Sequence, residues 1–266
     1  MNLQQSQSGD QFSYPKQMLI GGNWVGAHSG ATIPVENPAN RQVIVDVPRG
    51  GSADVELAVD AAQKAFTEWK LVAPRERGLA LLRIADALEA RIEDIARTIA
   101  AETGNALRTQ ARPEAKAAAD IFRYFGGLGS ELKGETIPLG EGVLSYTRRE
   151  PLGVVGAVIP WNAPVILAAV KIAPALCAGN TMVLKTAEDA PLAVLLVAGI
   201  CQEFLPGGVL NVLTGTGPEC GAPLINHAAV AKLSFTGSTG VGKLVMEAAA
   251  RRILPVSLEL GGKSPC

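Results

Sequence analysis

Residues 152–185 read LGVVGAVIPWNAPVILAAVKIAPALCAGNTMVLK, and this stretch decides the fold. Two short apolar runs, GVVGAVIP and NTMVLK, flank a longer apolar segment that begins at Pro164. Strands that are apolar on both faces and joined by a helix are typical of a parallel sheet covered by helices. The alternation continues through GVLNVLTG, AKLSFTG and LPVSLELGG, with helices expected from Pro191, Glu219 and Thr239. The sequence therefore predicts an α/β fold with a doubly wound, Rossmann-like parallel sheet.

The residues before this unit predict a helical N-terminal segment after a short β-rich start. QMLIGGNWV and RQVIVDVP are expected to be brief strands. Ser52 is expected to cap a helix over residues 52–70, and residues 75–104 to form one long amphipathic helix stopped by Gly104. A third, alanine-rich helix is expected from Pro113, and TIPLGEGVLSYTRREP predicts a protruding β-hairpin arm.

Composition and charge narrow the class of protein. The chain has 266 residues, of which 48% are hydrophobic and 18% charged, so it can bury a sizeable core. Its formal net charge of −1 comes from interspersed acids and bases, which gives no reason to expect a nucleic-acid or membrane partner. The longest apolar run, residues 191–200, is too short to span a bilayer, and residues 1–16 lack the pattern of a signal peptide.

The positions of the cysteines indicate the redox state of the protein's compartment and do not indicate a metal site or disulfides. Their positions show no C-x-x-C spacing, and the chain has only two histidines to accompany them. A metal site and a disulfide framework are therefore not expected, and a reducing cytoplasm fits best. The four are Cys177, Cys201, Cys220 and Cys266.

Polar side chains that could take part in binding or catalysis follow the first two strands of the unit. Asn162 lies between a strand and a helix, where its carboxamide could hydrogen-bond a developing oxyanion, or could instead cap the helix that starts near Pro164. Lys185 and Glu188 could hold the hydroxyls of a ribose. The alternative is that Lys185 is a solvated strand end and Glu188 an acid that favours the start of a helix.

Two glycine-rich stretches follow later strands. GTGPECG misses the G-x-G-x-x-G spacing by one position, so an ordinary glycine turn is the default for Gly215 to Gly221. SFTGSTGVGK indicates a phosphate site more strongly, because its glycines open a helix whose free N–H groups attract anions. It is not a Walker A loop, since Leu244 follows Lys243, and a tight strand–helix turn is the alternative.

Glu259 lies in the final stretch, SLELGGKSPC. Apolar neighbours at a strand end would raise the pKa of its carboxyl toward the range that suits a general base. The alternative is a structural glutamate held in a salt bridge.

Five motifs, taken in this order, resemble the aldehyde dehydrogenase superfamily: PWNAP, KTAE, GTGPECG, FTGSTGVG and LELGGKSP. The resemblance runs from residue 18 to residue 266. It implies the oxidation of an aldehyde to a carboxylic acid by NAD, or alternatively NADP, through a cysteine thioester. It also implies an NAD(P)-binding domain at 18–133 and 151–266 and part of an oligomerisation hairpin at 134–150. The polar residues 1–17 before it are expected to be a disordered tail. A cytoplasmic homo-oligomer that acts on an aldehyde is expected.

The resemblance assigns roles to individual residues. Asn162 matches the side-chain donor of the oxyanion hole, and Glu259 matches the general base that activates the deacylating water. Lys185 and Glu188 match the pair that holds the adenosine ribose, and an acid at position 188 favours NAD over NADP. The other cofactor positions are the cleft wall (Ile159, Pro160 and Trp161), a glycine near the adenine (Gly217), the pyrophosphate loop and its following turn (Gly237, Ser238 and Gly242), and the nicotinamide end (Leu260 and Gly261).

The chain also departs from the family pattern. Thr186 stands where a proline is frequent, with little expected consequence. The nucleophilic cysteine of the family is expected a few dozen residues beyond Glu259, whereas Cys266 is only seven residues away. The catalytic domain is therefore expected to be absent, and the chain alone to be inactive. The alternative is a non-catalytic nucleotide-binding or assembly module from a truncated gene. The apolar run NAPVILAAV favours a hydrophobic substrate entrance.

Overall fold

The computed structural model describes residues 14–264, which form eleven β-strands and eight α-helices. In chain order the strands are β1 (Met18–Ile20), β2 (Asn23–Val25), β3 (Thr32–Glu36), β4 (Val43–Pro48), β5 (Thr136–Ile137), β6 (Ser145–Tyr146), β7 (Val154–Val158), β8 (Thr181–Lys185), β9 (Leu210–Leu213), β10 (Val230–Thr236) and β11 (Val256–Glu259). The helices are α1 (Ser52–Trp69), α2 (Pro74–Ala90), α3 (Ile92–Thr103), α4 (Arg112–Gly127), α5 (Pro164–Cys177), α6 (Leu192–Gln202), α7 (Ala222–Asn226) and α8 (Thr239–Ala250). Two π-helical turns, Leu107–Ala111 and Gly217–Gly221, precede α4 and α7.

Seven strands form the central sheet, in the order β11-β10-β7-β8-β9-β1-β2. From β11 to β9 all neighbours are parallel, which confirms the predicted doubly wound α/β fold. The N-terminal pair, β1 and β2, extends the sheet in antiparallel fashion beyond β9. The chain runs outward from β7 through β8 to β9 and then returns to place β10 on the other side of β7. This reversal is a topological switch point, where open α/β sheets form a crevice at the carboxyl ends of their strands.

Two hydrophobic cores lie on opposite faces of the sheet. Side chains alternate between the faces along each strand, so Met182 and Leu184 of β8 join one core and Val183 joins the other. The first core is closed by α5 and α6, which are themselves covered by α2, α3 and α4. We call these three covering helices the outer helices. The second core is closed by α1, α7 and α8.

Three expectations about the helices were wrong. The single helix expected over residues 75–104 is two helices, because Arg91 leaves the helical conformation (φ −118°, ψ 20°) between α2 and α3. The apolar periodicity continues across that break and so concealed it.

Ser52 does not cap α1. Gly51 is the capping position, and its N–H donates to Asp54 Oδ2 at 2.9 Å. The helix expected from Glu219 begins instead as a π-helical turn.

The predicted hairpin is present, but its ladder is short. β5 and β6 contribute two residues each, and almost all of residues 130–152 are exposed. Most of the tail expected at residues 1–17 lies outside the described residues, and Tyr14 packs against the first core. Within residues 14–264, no helix is both long and apolar enough to cross a membrane.

Candidate functional site

The predicted site residues lie at or after the carboxyl ends of the parallel strands, except Gly242, which lies in the first turn of α8. The loop after β7 carries Ile159 to Asn162, the loop after β8 carries Glu188, and the turn after β9 carries Gly217. Gly237 and Ser238 follow β10, and Leu260 and Gly261 follow β11. Parallel neighbours bring these ends to one edge of the sheet. The structure therefore gathers on this edge five sets of residues that are far apart in the sequence.

Backbone hydrogen bonds tie neighbouring loops on this edge together. The N–H of Ile159 donates to Lys185 O at 3.2 Å, which joins the end of β7 to the end of β8. The N–H of Gly237 donates to Glu259 O at 3.0 Å, which joins the end of β10 to the end of β11. Val158 of β7 is paired with Phe235 of β10 in the parallel register, so this carboxyl edge, which we call the site edge, is continuous from the loop after β8 to the end of β11.

The loop after β10 exposes the start of a helix. Ser238 Oγ accepts the Val241 N–H at 3.3 Å and so caps α8. The N–H groups of Thr239 and Gly240 have no partner within the helix, as is general for a first turn, and both residues are exposed. Such a turn attracts a negative charge through its free N–H groups and the helix dipole.

Lys185 and Glu188 form an ion pair in which the cation is buried. Lys185 is 3% exposed, and its Nζ donates to Glu188 Oε2 at 2.9 Å. Burial acts to raise the pKa of Glu188, but the hydrogen bond and the charge of Lys185 outweigh it and hold that pKa below its ordinary value. The solvated strand end proposed as the alternative for Lys185 is wrong, because this side chain is buried. Glu188 lies four residues before α6 and is not in its first turn.

The Asn162 side chain is exposed and does not cap α5. Glu114 Oε1 accepts the first N–H groups of this helix instead, from Val165 at 2.8 Å and Ile166 at 3.3 Å. Among residues 14–264 the Asn162 side chain has no hydrogen-bond partner, while its main-chain oxygen accepts from Asn105 Nδ2 at 3.1 Å. The capping alternative is therefore wrong, and the carboxamide is available to a ligand.

Glu259 is the last residue of β11, which is the edge strand of the sheet next to β10. The sequence predicted apolar surroundings for its carboxyl, but the structure leaves the side chain exposed. The difference arises because β11 is an edge strand on which alternate residues face outward. Glu259 lies beside Thr236 in the parallel register, and the Thr236 hydroxyl is buried without a partner among the described residues.

Lys171 is a charged neighbour of Glu259 that the sequence analysis did not identify. It is 8% exposed, and its Nζ donates to Ser234 Oγ at 2.9 Å. Burial lowers its pKa to about 8, the charge of Glu259 acts to raise it, and Lys232 acts to lower it further. A single lysine inside the otherwise apolar helix VILAAVKIAPAL was the signal that could have revealed it.

The thiols of the described residues do not form a nucleophile at this edge. Cys177, Cys201 and Cys220 are free and buried. Burial raises the pKa of all three, to about 12 for Cys220, so none is a thiolate near neutral pH. Cys266 lies outside the described residues.

Comparison with known proteins relates this chain to one family. The model of the aldehyde dehydrogenase family matches residues 24–266. A long-chain-aldehyde dehydrogenase from Acinetobacter sp is 44% identical over 262 residues, which are 98% of this chain and 52% of that protein. A phenylacetaldehyde dehydrogenase from Pseudomonas fluorescens is 45% identical over 265 residues, covering 96% of this chain and 53% of that protein. The NAD+ complex structure of an aldehyde dehydrogenase from Bacillus cereus is 39% identical with a TM-score of 0.92, covering 94% of this chain and 52% of that one. The chain thus spans about half the length of the curated relatives it matches.

Proposed function

Because the chain belongs to the aldehyde dehydrogenase family, we propose that its strand-end loops bind NAD and take part in oxidising an aldehyde to a carboxylic acid. The observation that carries the proposal is that five motifs, separate in sequence, meet at one edge of a doubly wound sheet. Ligands of such sheets bind outside the carboxyl ends of the strands, at the switch point. Since the relatives are about twice as long, the proposal concerns what these residues contribute to the reaction.

Several features of the site edge suit a dinucleotide. The open first turn of α8, after Gly237 and Ser238, suits the pyrophosphate, and the Lys185–Glu188 pair suits the ribose hydroxyls. The Thr236 hydroxyl, buried and without a partner among residues 14–264, is a polar group that a ligand at this edge would satisfy. The remaining contacts are assigned to the wall (Ile159, Pro160 and Trp161), to Gly217 beside the adenine, to Gly242 beneath the loop, and to Leu260 and Gly261 at the nicotinamide end.

The charge of Glu188 favours NAD over NADP. Lys185 keeps the pKa of this carboxyl low, so it is negative at neutral pH. A 2′-phosphate on the ribose would meet that negative charge, whereas a 2′-hydroxyl can donate a hydrogen bond to it.

The chemistry assigned to this chain is oxyanion stabilisation and proton transfer. When a thiolate adds to the aldehyde, the exposed Asn162 amide donates to the oxygen that becomes negative. NAD held by these loops would supply the acceptor for the aldehyde hydride. Glu259 then takes a proton from the water that hydrolyses the thioester, and the carboxylic acid and the thiol are released. The thiolate itself is assigned to a residue outside those described, because the three buried cysteines cannot supply it.

We assign assembly to the hairpin over residues 134–150. Its exposed apolar side chains favour contact with a second copy of the chain. They are Ile137, Leu139, Val143, Leu144 and Tyr146. The free state of Cys177, Cys201 and Cys220 supports a reducing compartment, the cytoplasm.

The proposal is tested first by titrating the 266-residue chain with NAD in a calorimeter. We expect saturable binding to the wild type and about a tenfold loss of affinity in Lys185→Met, because a charged hydrogen bond is removed. Lys64→Met is the matched control, since Lys64 is exposed on α1 and lies two residues from Ala62, which contacts Thr181 at the amino end of β8, opposite the carboxyl ends that form the site. If the folded wild type does not bind NAD, or if Lys185→Met binds it equally well, the assigned site is wrong.

The burial of all three described thiols favours a second candidate, a non-catalytic nucleotide-binding or assembly module. Absorbance of NADH, measured with the 266-residue chain, NAD and a panel of aldehydes, separates the two. We expect this polypeptide to bind NAD and to form NADH only when a thiol nucleophile is supplied, whereas a non-catalytic module would form no NADH in either case. NADH formation that is unchanged in Glu259→Gln would refute the role given to Glu259.

A further inference from the structure

The loops after β7 and β8 lead into α5 and α6, two helices that lack a local cap. α5 begins after Ala163 and α6 begins after Pro191, and neither residue has a side chain that accepts a hydrogen bond from the helix. The free N–H groups of each first turn are instead accepted by a glutamate from the outer helices. Glu114 of α4 serves α5, and Glu102 of α3 serves α6.

Glu102 holds α6 with both of its carboxyl oxygens. Oε2 accepts the Leu192 N–H at 2.6 Å and Oε1 accepts the Ala193 N–H at 2.9 Å. Glu102 is 3% exposed. Glu114, by contrast, serves α5 through Oε1 alone. The start of α6 is therefore fixed by a two-point contact across 90 residues of sequence.

The negative charge of Glu102 interacts more favourably with the start of α6 than with its own helix, α3. It lies in the last turn of α3, the end of a helix at which a negative charge is unfavourable. At the first turn of α6 the same charge is favourable. Burial raises the pKa of Glu102 to about 8 and the charge of Glu114 acts in the same direction, whereas the N–H groups of Ala193 and Leu192 act to lower it by binding the ionised form. The groups of α6 thus provide the favourable interactions of this carboxylate.

The segment held in this way carries Glu188. Residues 186–191 join β8 to α6 and are anchored at two ends. At the first end the Thr186 N–H donates to Leu213 O at 3.0 Å, and the Thr186 hydroxyl donates to the same oxygen. At the second end Glu102 fixes the first turn of α6. Glu188 lies between the two anchors, two residues after one and four before the other.

We infer that Glu102 is a positioning residue for Glu188: by fixing the start of α6 it sets where the carboxylate that binds ribose hydroxyls stands. This inference rests on the proposed nucleotide site. It adds to that site a residue of the outer helices that touches no ligand itself.

The test compares two nucleotides that differ only in the ribose hydroxyls. Affinities for AMP and 2′,3′-dideoxy-AMP are measured by calorimetry on the wild type, Glu102→Gln and Glu114→Ala. Glutamine keeps the shape of Glu102 but turns an NH₂ donor toward an N–H donor, so one bond to α6 is lost. Glu114→Ala is the control, because it removes the corresponding support from α5. Thermal unfolding of each variant is recorded alongside.

The readout is the ratio of the two affinities, which a general loss of stability does not change. We expect AMP to bind the wild type about tenfold more tightly than the dideoxy compound, as the loss of hydrogen bonds to charged groups predicts. In Glu102→Gln this preference is expected to fall to about threefold or less, and in Glu114→Ala it is expected to persist. If Glu102→Gln does not fold, Glu102→Asp, which is too short to reach both N–H groups, is expected to show the same fall.

The outcomes separate this inference from the proposed function. A wild type that binds neither NAD nor AMP, or that shows no ribose preference, refutes the proposed site and the inference together. A wild type with the expected preference, retained in the Glu102 variant, refutes the inference alone. An equal fall in Glu114→Ala also refutes it, because the effect would then be general.

Discussion

Leu260 lies over Gly242: a Cβ placed on Gly242 would come within 2.4 Å of Leu260 Cδ2. The contact joins the first turn of α8 to the residue directly after β11. Gly242 is buried, and the Leu260 side chain covers it while remaining partly exposed itself. The loop assigned to the pyrophosphate and the strand end that carries Glu259 are therefore packed against each other.

Gly242→Ala is expected to lower the free energy of unfolding by about 1 kcal/mol, because the added methyl displaces the Leu260 side chain. The cost stays modest, since the atom that must move is the end of a flexible side chain. Gly240→Ala, two residues earlier in the same helix, would place its Cβ with no atom of the described residues within 4 Å and is expected to raise stability by about 0.5–1 kcal/mol. Urea denaturation measures both, and shifts in the same direction would contradict the packing described.

Gly78→Ala is expected to be more destabilising, by about 2–3 kcal/mol, because the new Cβ would lie 2.5 Å from Gly126 O. The obstructing atom belongs to the backbone of α4, so α2 and α4 must separate. Gly127→Ala is the control, with no atom within 4 Å of its added Cβ. A Gly78 variant as stable as the control would show that the two helices can move apart without cost.

Glu188→Gln is expected to raise the affinity for NADP relative to NAD, by about tenfold or more. The substitution removes the negative charge that opposes a 2′-phosphate and leaves Lys185 to attract it. Parallel calorimetric titrations with the two cofactors measure the ratio. Asp189→Asn is the control, because Asp189 is exposed and has no hydrogen bond or ion pair among residues 14–264. The same change of ratio in both variants would argue against a specific role for Glu188.

Lys171→Met is expected to change how stability depends on pH. The pKa of Lys171 is lowered from 10.5 to about 8 by burial, so between these values the unfolded chain binds its proton more tightly than the folded one. The free energy of unfolding of the wild type should therefore rise with pH through this window, relative to the variant. The gain is about 1–3 kcal/mol by about pH 10. Stability curves that stay parallel, as expected for the exposed control Lys64→Met, would refute a neutral Lys171 in the folded chain.

Local patterns were sufficient to predict the architecture. The apolar runs around β7, β8 and β10 are short and are bounded by glycine or proline, so they gave both the strands and the edge on which their loops would meet. Asn162 and Ser238 lie in the loops between a strand and a helix where the sequence predicted them, four residues after β7 and two after β10.

Other features depend on partners that are distant in sequence, so no local pattern could reveal them. The position of Asn162 alone favoured a helix cap, and Glu114, 51 residues from Val165, decides that it is not one. The exposure of Glu259 follows from the place of β11 at the edge of the sheet. The burial of Lys185 follows from strands on both of its sides.

The attachment of β1 to β9 has a consequence for the order of folding. The Gly21 N–H donates to Asn211 Oδ1, 190 residues later, so the first strand joins the sheet only after β9 has formed. During synthesis at about 5–20 residues per second, β1 would wait on the order of ten seconds or more for its neighbour. Pulsed hydrogen exchange during refolding should show the amides of β7 and β8 protected before those of β1. Although β1 is synthesised early, it becomes native only after β9, and Met18 and Leu19 are open to chaperones in the interval.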